Sequence, residues 1–359
     1  MDIESKIGII KSFAEEIVTE EELRSLLETN SKPVAYDGFE PSGIAPMHFG
    51  LTRAKNLKKM LDMGIRFKLY LADYFAFLNN KLGGDMERIK DAGRYFMEVW
   101  KASGIDESRI EIVWASDLMD NVGYWDRVMR IGKVTTLDRV KRAITIMGRK
   151  EGDSISAGML MYPLMQAADI FEMDIDICQL GIDQRRANML AREASEKYKW
   201  KKPVAVHHKL VLGLMGIPSN ASGSKEAMID YKMSKSNPST AIYVHDTHEE
   251  IKKKINSAYC PERTIEGNPI FNYVETTILD SKADQITIER PSRFGGSVEF
   301  ENYGELVEGY KDGKIHPADL KNFASEKLEE MIKPIREHFI KDRNAARLYE
   351  RMKSYRITR

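Results

Sequence analysis

Over roughly the first two-thirds of the chain, short apolar runs alternate with longer segments in which apolar residues recur every three to four positions. The runs over 33–39, 66–73, 110–116, 174–181 and 204–212 predict strands, with Pro33 acceptable as the first residue of its run. The periodic segments predict helices over 47–64, 85–103, a pair within 117–149, 156–172 and 183–198, the last opened by Asp183 as a candidate cap. This alternation predicts an α/β fold built on a parallel sheet. After Leu214 the sequence GIPSNASGSKEAMIDYKMSKSNPS is crowded with Gly, Ser, Asn and Pro and predicts a long mobile loop. Beyond it, 247–258, 269–281 and 317 to the end predict helices, interrupted by a β-like QITIERP and a turn at Gly295-Gly296. The expected organisation is a parallel-sheet domain over 1–240, with a helical insertion at about 90–150, and a mostly helical C-terminal domain over 241–359.

Composition narrows the class. The 359 residues are 42% hydrophobic and carry 55 basic against 55 acidic side chains, enough for the cores of about two domains and formally neutral. No apolar run approaches the roughly 20 residues of a spanning helix, which excludes a membrane-spanning chain. The opening MDIESKIGII mixes acids and bases, unlike a secretory signal or transit peptide, so the expected location is cytoplasmic. Cys178 and Cys260 lie far apart without ligand spacing, which excludes a disulfide scaffold and leaves no expected metal site. Charge is uneven: 127–150 holds eight bases against Asp138 alone, and 341–359 holds seven against Asp342 and Glu350. Such clusters read either as solvated faces or as phosphate-binding surfaces.

Three segments carry chemistry. The first strand runs into Tyr36-Asp37-Gly38-Phe39-Glu40-Pro41-Ser42-Gly43, and the next helix opens at Met47-His48-Phe49-Gly50. A strand, a glycine-containing turn and a helix start favour an anion, with His48 able to donate to phosphate oxygens, although HxG alone reads more readily as a plain turn with a capping histidine. Lys232-Met233-Ser234-Lys235-Ser236 places two ammonium groups and two hydroxyls on a loop able to close over a polyphosphate. Tyr162, Gln166 and Asp169 fall at i, i+4 and i+7 of an otherwise apolar helix, so they share one face. A buried polar stripe of that kind either forms a satisfied network or lines a ligand site. Asp169, read as ionised, would accept a hydrogen bond from a ligand hydroxyl, with Tyr36 donating or accepting another.

The paired HFGL and KMSKS segments resemble those of class I aminoacyl-tRNA synthetases. The YPLMQAAD segment (162–169) with GIDQR (181–185) narrows the resemblance to tyrosyl-tRNA synthetases of the archaeal and eukaryotic type, over nearly the whole chain. That resemblance implies a Rossmann-like catalytic domain with a helical connective insertion and a C-terminal anticodon-recognition domain. It implies tyrosine binding by Tyr36, Tyr162, Gln166, Asp169 and Gln184, and ATP binding by Gly38, Glu40, His48, Gly50, Gly181, Asp183, Met233 and Lys235. His48, Gly50, Lys232, Ser234 and Lys235 would serve catalysis with Mg²⁺, and Asp183 would reach a ribose hydroxyl if it is not only the helix cap. The implied partner is tRNA(Tyr), touched by Phe294, His316, Asp319, Lys141 and Arg142, and the implied assembly is a homodimer, with 117–149 a candidate interface. On the residues alone, Phe294 also reads as a core aromatic, and His316 and Asp319 as a helix cap around Pro317.

The implied reaction joins L-tyrosine to ATP as tyrosyl-adenylate and then to tRNA. Two departures touch the site: the family's ADLHA is Ala72-Asp73-Tyr74-Phe75-Ala76, and the first glycine of GGxDQ is Leu180. HFGL also replaces the last residue of HIGH by Leu51. A tryptophanyl-tRNA synthetase, a non-catalytic synthetase-like RNA-binding protein and a nucleotidylyltransferase are the alternatives. An indole gives Tyr36 less to do, the retained His48, Lys232 and Lys235 argue for catalysis, and a nucleotidylyltransferase needs no phenol-selective pair.

Overall fold

The five strands expected from the apolar runs assemble into one parallel sheet, with an antiparallel sixth strand at its edge. The computed structural model describes residues 1–148, 154, 156–218, 221, 225–234 and 240–355. The strands are β1 (Ala14–Val18), β2 (Val34–Phe39), β3 (Arg66–Leu71), β4 (Ile110–Trp114), β5 (Ile177–Gly181) and β6 (Val204–His208), in the order β1-β6-β5-β2-β3-β4. In this sheet β1 alone runs antiparallel, against β6. The sequence did not predict β1. Its AEEIV holds two glutamates and shows no alternation of buried and exposed residues, because an edge strand has one side open to solvent.

Helices cover both faces of the sheet, as a parallel sheet requires. On one face lie α1 (Ile3–Phe13), α2 (Glu20–Thr29) and a π-helical turn at Phe49–Arg53 that continues as α3 (Ala54–Asp62). α4 (Asp73–Leu78) follows β3, and α5 (Met86–Ala102) packs on the same face as α3. Phe49 is clamped there among Phe39, Phe96 and Trp100, with ring centroids 4.3–5.0 Å from its own. Aromatic pairs of this kind add about 0.5–1.5 kcal/mol each beyond their buried area, and they fix the turn that carries His48.

On the other face lie α6 (Ala115–Met119), α7 (Val122–Val134), α8 (Leu137–Ala143), α9 (Ala157–Glu172) and α10 (Arg185–Tyr198). The segment about 90–150, expected as a helical insertion, holds the end of α5 and the strand β4 before α6, α7 and α8 follow from Ala115. Asp183 is not the cap of α10: Gln184 holds that position and makes no side-chain cap bond, while the Asp183 carboxylate turns elsewhere.

In the expected loop, α11 (Lys225–Asp230) forms, and 231–233 pair with 211–213 through Gly213 N–H to the Tyr231 carbonyl (2.8 Å) and Met233 N–H to the Val211 carbonyl (2.7 Å). Beyond it come α12 (His248–Ser257), α13 (Pro269–Tyr273), the hairpin β7 (Ile286–Ile288) with β8 (Val298–Phe300), α14 (Tyr303–Lys311), α15 (Pro317–Lys341) and α16 (Arg343–Ser354). Their apolar faces join the α3–α5 side of the sheet in one continuous core. β8 and α14 were not read from the sequence, and the helix expected from 317 to the end is broken at Asp342, which caps α16.

Candidate active site

In open parallel sheets, ligands sit beyond the carboxyl ends of the strands where the strand order reverses. Here the reversal falls between β2 and β5, where Tyr36 stands opposite Cys178. Gly38, Glu40, Gly181 and Asp183 all follow at those strand ends.

Tyr36 points to the α9 side. Its hydroxyl and Asp169 Oδ2 are buried and have no hydrogen-bond partner among the described residues. Asp169 Oδ1 accepts from the Tyr124 hydroxyl at 2.9 Å, and the buried Tyr70 hydroxyl lies beside the same carboxyl but outside hydrogen-bonding geometry. Burial, only partly opposed by those two hydroxyls, pushes Asp169 up to about 8. At neutral pH this carboxyl is therefore largely protonated, whereas the sequence led to an ionised group; among the described residues no cation is placed to hold the charge. An unpartnered buried polar atom costs on the order of 1–3 kcal/mol, so a ligand hydroxyl between Tyr36 and Asp169 would relieve two such penalties at once.

The other residues of the stripe lie beside this pair. The Tyr162 hydroxyl donates to Glu40 Oε1 at 2.5 Å, and the Asn79 amide donates to both Glu40 oxygens at 3.1 and 3.2 Å. Gln166 donates to Gln184 Oε1 at 3.2 Å, and Gln184 donates in turn to the Ile146 carbonyl at 3.1 Å. Phe75, the departure from ADLHA, meets Tyr162 edge-on at 4.6 Å and Tyr70 at 6.2 Å, adding an apolar wall.

The strand ends on the His48 side are ionic. Arg53 grips Asp37 through both Nε (2.8 Å) and Nη2, and its guanidinium lies 4.0 Å from the centre of the Phe39 ring. Burial raises Asp37 to about 6 even with Arg53 opposing it. Lys232 is ion-paired to Asp183, and against the upward push of burial that ammonium pulls Asp183 down to about 2. His208 is buried and held well below its ordinary value by burial and by Arg53, with His48 near enough to add to the effect. Gly181 has a steric reason: a Cβ there would stand 2.3 Å from Asp183 Oδ1 and push the carboxylate out of place.

Some assigned residues fall elsewhere. A Cβ on Gly50 would lie 3.0–3.2 Å from Val244, Ile335 and Val99, so this glycine permits α5, α15 and the chain at Val244 to pack on the His48 turn. The Met233 side chain is buried in the core, Ser234 is half-buried beside it, and Lys235 lies outside the described residues. Phe294 is 57% exposed, which removes the core reading, and Arg293 covers its ring at 4.8 Å. His316 does cap α15, its Nδ1 accepting from Ala318 N–H at 3.1 Å, with Asp319 in the first turn. Arg290 ties the two segments together by donating to the carbonyls of Gly296 (2.6 Å) and Lys314 (3.0 Å). Arg127, Arg130 and Arg139 of the basic stretch are paired with Glu172, Asp126 and Glu193, while Lys141 and Arg142 are exposed at the end of α8. Tyr70, Asn79, Tyr124 and Arg53 were missed, since each acts through partners remote in sequence.

The sequence model of the family "tRNA synthetases class I (W and Y)" matches residues 28–333. The chain is 42% identical to the tyrosine–tRNA ligase of Thermococcus kodakarensis over 378 residues, covering 100% of both chains. It is 40% identical to the cytoplasmic tyrosine–tRNA ligase 1 of Arabidopsis thaliana, covering 100% of this chain and 90% of that one. The chain belongs to the tyrosyl-tRNA synthetase family. The fold of the tyrosyl-tRNA synthetase of Pyrococcus horikoshii, solved with L-tyrosine, superposes with a TM-score of 0.90 at 37% identity, covering 99% of this chain and 100% of that one. A tryptophanyl-tRNA synthetase of Aeropyrum pernix shares the fold at 17% identity and a TM-score of 0.68. Phe75 and Leu180 are both buried parts of the α9-side core.

Proposed function

We propose that this synthetase takes the phenol of L-tyrosine between Tyr36 and Asp169, and that the buried Tyr36 hydroxyl and Asp169 Oδ2, without partners among the described residues, are the observation that carries this reading. A phenol both donates and accepts, and so satisfies both groups, whereas an indole N–H can only donate. Phenylalanine would leave both unpaired; a site built to bond a hydroxyl rejects the analogue lacking it, a rule whose standard example is itself a tyrosyl-tRNA synthetase. Tyr162, Gln166 and Gln184, beside that pair, would receive the α-ammonium group, with Glu40 fixing Tyr162.

The tyrosine carboxylate then attacks the α-phosphorus of ATP in line, forming tyrosyl-adenylate as pyrophosphate leaves. A ribose hydroxyl at the tRNA 3′ end next attacks the tyrosyl carbonyl, and AMP departs. No protein nucleophile is needed; positioning and charge stabilisation suffice. Gly38, Glu40, Gly181 and Asp183 would line the nucleoside, while His48, Lys232, Ser234 and Lys235 would hold the phosphates, with Met233 anchoring the loop in the core. Lys232 must exchange Asp183 for phosphate as ATP arrives, freeing Asp183 for a ribose hydroxyl. No cluster of three metal-ligating side chains occurs among the described residues, which suits a Mg²⁺ carried on the phosphates rather than caged by protein. Such an ion would neutralise charge on the leaving pyrophosphate.

The division into a catalytic domain over 1–240 and an anticodon-recognition domain over 241–359 suits the same reading. Exposed Phe294, with His316 and Asp319 on the adjoining segment, could stack on and hydrogen-bond an unstacked base, and Lys141 and Arg142 would meet the acceptor stem. The exposed apolar side chains Val122, Trp125, Met129 and Leu137 on α7 and α8 suit a second copy of the chain, giving a homodimer. No helix among the described residues is long and apolar enough to cross a membrane. A cytoplasmic location is part of the same proposal, as the related cytoplasmic tyrosine–tRNA ligase 1 of Arabidopsis thaliana suggests. Amino-acid-dependent ATP–pyrophosphate exchange, run with tyrosine, tryptophan and phenylalanine, tests the reading. Exchange with tyrosine alone is expected; exchange with tryptophan would overturn the assigned specificity.

A further inference from the structure

The chain leaving the lysine loop runs directly against the segment that leads into His48. Met47 N–H donates to the Ile242 carbonyl at 2.7 Å, Val244 N–H donates to the Ala45 carbonyl at 3.1 Å, and Pro46 bridges Tyr243 in antiparallel register. A two-stranded contact this short is marginal by itself, so its position must be set from outside. The remaining donor, Ala45 N–H, points to the Tyr95 hydroxyl at 3.2 Å, and Tyr95 is a fully buried residue of α5. The Tyr95 hydroxyl lies 2.8 Å from His245 Nε2. The three groups are all satisfied when Tyr95, accepting from Ala45, gives its own proton to Nε2 and the imidazole proton sits on Nδ1. Burial, with Lys353 and Arg336 nearby, pushes His245 down to about 3, so it is neutral at every working pH.

His245 is held in turn by the last two helices. Its ring stacks on Tyr349 of α16 with centroids 3.7 Å apart and planes at 17°, and it meets Phe339 of α15 edge-on at 4.7 Å. Two apolar rings would fill the same space. The hydroxyl and imidazole add direction, because Ala45 N–H, Tyr95 and His245 satisfy one another in a single arrangement.

We propose that Tyr95 and His245 are positioning residues for adenylate formation: they fix the spacing between the His48 turn and the base of the lysine loop, and they tie that spacing to the packing of α15 and α16. The inference rests on the reading of His48 and Lys232 as the phosphate-binding groups. Neither Tyr95 nor His245 touches substrate; they act through the backbone of 45–47 and 242–244. Stabilising charge at a transferring phosphate is sensitive to displacements well below 1 Å, which gives the link its leverage.

Tyr95→Phe removes the hydroxyl and keeps the ring. It should lower kcat of pyrophosphate exchange about tenfold while the KM for tyrosine stays within about twofold, because the phenol site lies across the sheet. Hydrogen exchange at amides 42–47 should accelerate in this variant, with amides 66–71 of β3 unchanged. His245→Gln, whose carbonyl can accept from Tyr95, should retain more activity than His245→Ala. A parental kcat in Tyr95→Phe would overturn the proposal, as would a loss shared with tyrosine KM and with protection at 66–71. If the parent protein exchanged pyrophosphate with no amino acid, the functional reading would fall. Protection at 42–47 would then decide the link alone: its loss supports the link, and parental protection overturns it.

Discussion

Two faces of the same strand handle polarity in opposite ways. On the α9 side of β2, the Tyr36 hydroxyl and Asp169 Oδ2 are buried without a partner among the described residues, and Asp169 is pushed up to about 8 because its neighbours only partly offset its burial. On the His48 side the carboxylates are ion-paired: Asp37, buried, by Arg53, which only partly opposes the rise to about 6 that burial causes, and the half-buried Asp183 at the next strand end by Lys232, which draws it down to about 2. The difference teaches how each half meets its ligand. The first, as proposed, would receive a neutral hydroxyl and gain by completing its hydrogen bonds. The second, as proposed, would exchange the Lys232–Asp183 ion pair for one with phosphate, so its ligand would be bound at the expense of an existing contact. On the proposed reading, specificity would belong with the first face, and charge-driven chemistry with the second.

The sharpest way to break this contrast is Lys232→Ala. It should reduce kcat of pyrophosphate exchange by about 10²–10³, the usual loss for one transition-state donor, with tyrosine binding unchanged in calorimetry. A matching loss of tyrosine affinity would mean that the two faces do not divide the work. A smaller effect separates them by pH. Asp169 has a folded-state pKa of about 8, raised from 3.8, so the folded chain holds a proton that the unfolded chain releases across that interval. Its contribution to stability is complete below about pH 4 and is lost as pH rises towards 8, with a slope of at most about 1.4 kcal/mol per pH unit. Thermal unfolding between pH 5 and 8 should therefore show a steeper decline for the parent than for Asp169→Asn. Equal slopes would place Asp169 in a solvated or charge-paired setting.

The stripe Tyr162, Gln166 and Asp169 was legible because helical spacing puts polar groups on one face of an apolar segment. The strands were legible because both faces of a parallel sheet are covered, which leaves near-continuous apolar runs. What could not be read depends on partners distant in sequence. Tyr124 reaches Asp169 across 45 residues, Asn79 reaches Glu40 across 39, and neither carries a local signature. Asp183 looks like a cap because it precedes a helix, yet Lys232, 49 residues on, claims its carboxylate. Gly50 looks like a ligand-approach glycine, while the side chains that require it, Val99, Val244 and Ile335, come from three separate elements. The edge strand β1 escaped notice for another reason: Glu16, in the middle of AEEIV, pairs with Arg185 and His207, so a polar residue there is structural.

The most direct test of the central claim is equilibrium binding of L-tyrosine and L-phenylalanine, without ATP or tRNA, to the parent and to Asp169→Ala. The parent should prefer tyrosine by at least about a hundredfold, and Asp169→Ala should lose most of that preference while keeping its fold, since the hydroxyl would be left with Tyr36 alone. Equal affinity for the two amino acids in the parent, or an undiminished preference in Asp169→Ala, would contradict the assignment of the phenol to Tyr36 and Asp169.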